Sequence, residues 1–157
     1  MSKATILVCP PDVQISELSN ILKERWHSHH WFTPQTSPAL QIQEVGQGTS
    51  YLSVDELGPA EEVTRDYEEN DDLPLKIRSK LRGKKYYLLT FNDERLFMEA
   101  IILILLRLSS HLDDMWLDND YGMLIPAGTF LEESARNPAW EWRQFQLVST
   151  DVSSTIE

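Results

Sequence analysis

Cysteine is almost missing from this 157-residue chain, and Cys9 stands alone. No internal disulfide can form, and a lone thiol fits a reducing cytoplasm better than a secreted scaffold. Cys9 lies in the apolar run Ala4-Thr5-Ile6-Leu7-Val8-Cys9 with no base beside it in sequence, so it reads as a small buried hydrophobe rather than a nucleophile. Glycine is also scarce: six scattered residues form no phosphate-cradling loop, and no serine-hydrolase elbow is present. Long hydrophobic runs are lacking. The most apolar stretch, residues 100–106, stops at Arg107, whereas a membrane span needs about 20 residues. The start of the chain offers only Lys3 and a short apolar run cut by Pro10-Pro11, which does not make a signal peptide. Positive charge is in deficit as well, with 14 Lys and Arg against 25 Asp and Glu, a net charge of −11. That balance argues against binding a nucleic-acid backbone, which takes a surplus of Lys and Arg. It favours a basic partner, or simply solubility. The expectation is a soluble cytoplasmic protein without nucleic-acid or membrane contacts.

What is present is ordinary globular material: 41% hydrophobic and 25% charged residues. The length suits one domain that hides roughly two thirds of its unfolded surface without a disulfide or metal staple. Residues 4–9 read as a buried strand. Pro10-Pro11-Asp12 marks a turn with Asp12 placed to cap a helix. Ile15, Leu18, Ile21, Leu22 and Trp26 then recur at helical spacing. A loop with histidines and prolines is expected over 27–38. Residues 40–45 and 49–54 flank Gly46-Gln47-Gly48 as a hairpin with one face toward the core. Tyr86-Tyr87-Leu88-Leu89-Thr90-Phe91 is the clearest strand, and Asn92 follows as a helix cap. Residues 96–108 are apolar on nearly every side, which suits a helix at the centre of the molecule. Residues 115–117 and 121–125 form a strand or a tight hairpin. Thr129 is placed to cap a short helix to Ala135, and Asn137-Pro138 opens an aromatic segment. The order fits an α+β domain over 1–148: an antiparallel sheet of about four to five strands, two main helices on one face in a βαββαβ-like layout, and short C-terminal helices. Residues 149–157 read as a flexible tail.

Charge is segregated. Residues 55–72 hold nine acids and one base, and residues 76–85 hold six bases and no acid. The first block is expected to be a charged loop with a short helix after Pro59, within one domain. The two blocks either attract each other or are solvated, and such surface pairing is preferred to a dedicated binding patch.

Three constellations are weighed for chemistry. His27, His29 and His30 lack the i, i+4 spacing of zinc-binding helix pairs and have no cysteine nearby, so surface histidines are preferred to a metal site. Asp113, Asp114, Asp118 and Asp120 supply oxygens that suit Mg²⁺ or Ca²⁺, but without the glycine and closing glutamate of an EF-hand. A turn is the preferred reading, a metal-dependent hydrolase the alternative, and no cofactor is assigned. Trp116, Tyr121, Trp140 and Trp142 either close the core over a sheet edge or form an interface with the acids.

Trp116-Leu117-Asp118-Asn119-Asp120-Tyr121-Gly122 after a strand and long apolar helix, with Pro138-Ala139-Trp140-Glu141-Trp142 soon after, resembles small bacterial immunity proteins of polymorphic-toxin systems. The resemblance covers residues 84–143. It implies a non-enzymatic role: tight binding to a cognate toxin, which in many such systems is a nuclease with a basic cleft. On that reading Asp113, Asp114, Asp118 and Asp120, or the acids of 61–72, face the toxin, and Trp116 and Tyr121 anchor it. The chain would be a monomer awaiting its partner or a homodimer, with a self-associating scaffold as a third class.

Overall fold

The structure, a computed structural model, describes residues 3–26, 29–32, 39–45, 48–69, 73, 75–119 and 124–137. In chain order the strands are β1 (Lys3–Cys9), β2 (His29–Phe32), β3 (Ala39–Val45), β4 (Thr49–Leu57), β5 (Lys85–Phe91), β6 (Trp116–Asp118) and β7 (Leu124–Pro126). The helices are α1 (Ile15–Lys23), α2 (Ala60–Glu68), α3 (Leu75–Lys80), α4 (Glu94–Arg107) and α5 (Ala127–Arg136), with a 3-10 turn over Ser109–Asp114.

All seven strands join one antiparallel sheet in the order β2-β3-β4-β5-β1-β6-β7. The α+β class holds. The sheet is wider than the four to five strands expected, because β2 forms within the segment read as a loop and two strands, β6 and β7, pair antiparallel where one strand or a hairpin was expected. These additions have three or four residues each, too few for an alternating pattern to stand out in sequence. β3 and β4 form the expected hairpin, with Leu40 and Ile42 paired to Val54 and Leu52, all four buried.

Alternation along the central strands divides the interior in two. Leu7, Tyr87 and Leu117 are register partners on one face, where they join α1, α4 and α5 in the main core. Val8, Tyr86 and Trp116 are partners on the other face, where α3 adds Ile77 and α2 packs Ala60, Val63 and Tyr67 against them. The two principal helices share a face as expected, and α2 and α3 form a second layer that was not. Cys9 is fully buried in the main core, and burial pushes its thiol far above the ordinary range. That suits packing rather than nucleophilic chemistry.

Three helix starts differ from expectation. Gln14, not Asp12, caps α1 through a reciprocal arrangement with Glu17. Asp93, not Asn92, caps α4 by accepting from the Arg95 amide. Asn92 is drawn to β4, accepting from the Tyr51 amide and donating to the Thr49 carbonyl. Helix α5 begins at Ala127, which leaves Thr129 inside it and Pro126 at the cap. Proline in that position lacks only an N–H that the helix start would leave idle. The expected aromatic segment and the tail at 149–157 lie outside the described residues.

Candidate functional site

The acidic block begins as strand and continues as helix. β4 runs through Asp55 and Glu56 to Leu57, and α2 follows at Ala60. Ala60, Val63, Thr64 and Tyr67 recur at i, i+3, i+4 and i+7, a narrow inward stripe that the surrounding charge conceals in sequence. Two hydroxyls pin this stripe to the sheet. Tyr86 Oη lies 2.8 Å from the Leu81 carbonyl, to which it can donate, and 2.7 Å from Thr64 Oγ1, which also reaches that carbonyl at 3.5 Å. Tyr67 stacks on Tyr86 with ring centroids 5.8 Å apart and donates to Asp118 Oδ2 at 2.7 Å.

With its inner stripe fixed, α2 exposes Glu61, Glu62, Asp66 and Glu69, interrupted only by Arg65. Glu61 and Glu62 sit in the first turn, where the helix dipole favours carboxylates. At the other end Arg78 donates to the Glu68 carbonyl at 2.9 Å, and Arg82 pairs with the Glu68 carboxylate at 3.2 Å. Among the described residues the two charge blocks therefore meet at the C-terminal end of α2.

The residues proposed from sequence separate into three groups. Asp113 and Asp114 are exposed on the 3-10 turn, with Asp114 3.9 Å from the Lys84 ammonium. Trp116 is 6% exposed and packs with Val8, Tyr86 and Leu124. It closes the second core and offers no anchor at the surface, because its position beside β1 turns it under α2 and α3. Asp118 is half-buried and holds Tyr67. Asp120 and Tyr121 lie outside the described residues, as does His27. Among the described residues no group of three or more His, Cys, Asp or Glu side chains is arranged to hold a metal ion.

Sequence reasoning did not foresee a groove of about 420 Å³ between α2 and the turn that leads into β5. Pro11, Ala60 and Thr64 supply its apolar side, Glu61 and Glu68 line it from α2, and Arg82, Lys84 and Lys85 line it from the turn. Gly83, at φ +73°, makes that turn possible, in a region L-residues rarely occupy. The sign change between residues 72 and 76 was the only hint, and its partners lie far apart in sequence.

The fold and this site define an α+β protein with two helical layers and an acid-faced helix beside a cationic groove. Comparison with protein-family models, with curated proteins and with solved structures finds no match to this chain. Among the described residues, no helix is long and apolar enough to cross a membrane.

Proposed function

We propose that this is a non-enzymatic protein-binding domain of the cytoplasm that takes up a basic protein partner through the outer face of α2. The partner that fits best is the cationic catalytic cleft of a toxin, in keeping with the resemblance of residues 84–143 to immunity proteins. The observation that carries the reading is the four-carboxylate face Glu61, Glu62, Asp66 and Glu69, on a helix held by Thr64 and Tyr67. A carboxylate row on a fixed helix can stand where substrate phosphates would lie, and it steers a cationic partner in from a distance. Asp113 and Asp114 are further exposed acids, on the 3-10 turn.

The test is a titration of the full chain against the purified product of the adjacent gene, by calorimetry and by stopped flow at increasing salt. Wild-type chain should bind with an association rate that falls steeply with ionic strength. Glu62→Lys with Asp66→Lys should weaken binding at least tenfold while the circular-dichroism spectrum stays native. Undiminished binding by the double variant would remove this reading.

A further inference from the structure

We propose that the groove between α2 and the turn into β5 is a binding site for a small organic anion, a compact apolar body carrying one carboxylate or phosphate group. The proposal does not depend on a protein partner for α2. It begins with Lys84, whose side chain is only 14% exposed. Its nearest carboxylate, on Asp114, is 3.9 Å away, beyond hydrogen-bond reach, on a side chain that is 68% exposed. Packing of the stem holds this ammonium in place at the groove, and a solvent-screened carboxylate at that distance compensates its charge little. Lys85, the next residue, donates to the neutral Gln14 Oε1 at 2.8 Å, which leaves its charge unbalanced.

The remaining charges do not cancel this surplus. Glu68 is satisfied by Arg82, which leaves Glu61 as the one other acid of the lining, exposed on the first turn of α2. Among the described lining residues, Lys84 and Lys85 thus face one solvated carboxylate, Glu61, with Asp114 outside the groove as the distant partner of Lys84. The rest of the groove suits a hydrocarbon body: Pro11 and Ala60 are apolar, and Thr64 commits its hydroxyl to Tyr86. A volume of about 420 Å³ is adequate for a small ligand. The acids along α2 repel an extended polyanion, so the site selects a compact, singly headed one.

The experiment is a titration of the ¹⁵N-labelled full chain with benzoate and with phenyl phosphate, using benzyl alcohol as the neutral control. We expect saturable shifts of the Ala60, Thr64, Gly83, Lys84 and Lys85 amides with at least one anion, and the stronger binder identifies the head group. Lys84→Gln should weaken binding at least tenfold, Lys84→Arg should retain it, and Lys80→Gln on the exposed side of α3 should leave it unchanged. If Lys84→Gln does not fold, Lys85→Gln is read by the same criterion. Equal shifts with benzyl alcohol, shifts spread over remote lysines such as Lys3 and Lys23, or full binding by a folded Lys84→Gln would overturn the proposal.

Discussion

The phenol of Tyr86 helps to join α2 to the sheet. Tyr86 serves both the Leu81 carbonyl and Thr64 in a buried setting, so Tyr86→Phe leaves them only the longer contacts of Leu81 with Thr64 at 3.5 Å and with the Lys84 amide at 3.4 Å. The expected cost is about 1–3 kcal/mol, read from urea unfolding. Gly83→Ala isolates a backbone effect: no atom lies within 4 Å of the added methyl, so only the left-handed φ is penalised, by about 1–2 kcal/mol. Carboxyl groups set the acid response with opposite signs. Glu44 is held below its ordinary range by the Trp26 indole N–H at 2.6 Å and then by Arg95. For Asp93 burial pushes upward, but hydrogen bonds from Ser50 and the Arg95 amide outweigh it. Both groups bind protons less readily folded than unfolded, so the stability they supply is full above the ordinary carboxylate range and is lost as pH falls through it. Asp55, half-buried on β4, has burial alone acting on it and is pushed upward. Ionising it opposes folding, and that penalty disappears as pH falls through its raised pKa. Asp55→Asn should therefore raise the melting temperature at pH 7, and the gain should vanish near pH 3. A gain independent of pH would contradict this account.

At the level of the element, the helices show what patterning can and cannot reveal. β5 and α4 were legible because apolar residues dominate them, and the β3–β4 hairpin because its apolar residues recur at alternate positions on either side of a Gly-containing turn sequence. The short helix after Pro59 is present as α2, but its inward packing was hidden because the stripe includes Ala60 and Thr64, small or polar residues that acquire meaning only beneath Tyr86. Helix starts were misplaced by one to three residues for a related reason. Asp12, Asn92 and Thr129 all carry an oxygen able to cap, and tertiary competition decides, as when Asn92 is taken by β4. The acidic row of the candidate site could be read in order along the chain, but the groove could not. It is assembled from residue 11, residues 60–68 and residues 82–85. Gly128 tests the element logic from another side. It lies in the first turn of α5, where a methyl group added at its Cα would meet open space. Gly128→Ala should therefore stabilise by about 0.5–1 kcal/mol through helix propensity, measured by thermal unfolding.

For the whole molecule, the two interiors are unequal. The main core unites three helices with β1, β3, β4, β5, β6 and β7, while the second depends on the short α2 and α3 against the opposite face. Layers of such different size need not open together. Native-state hydrogen exchange should show the amides of β1 and β5 opening only with global unfolding, and those of α2 and α3 opening at a lower free energy. Equal protection throughout would show the second layer to be fully coupled to the first. Ile77→Ala, which removes the contribution of α3 to the second core, should lower the α2 and α3 protection selectively.

The sheet order also bears on how the chain is made. β1 is early in sequence but central in space: its neighbours are β5 and β6, beginning at residues 85 and 116. During synthesis this apolar strand leaves the ribosome with neither edge to pair on, and it must stay uncommitted until more than half the chain has followed. β3 and β4 can close their hairpin meanwhile, but the sheet cannot join its two wings until β1 is inserted. Nascent chains stalled before β5 should therefore engage holdase chaperones through residues 3–9, and release them once β6 has emerged.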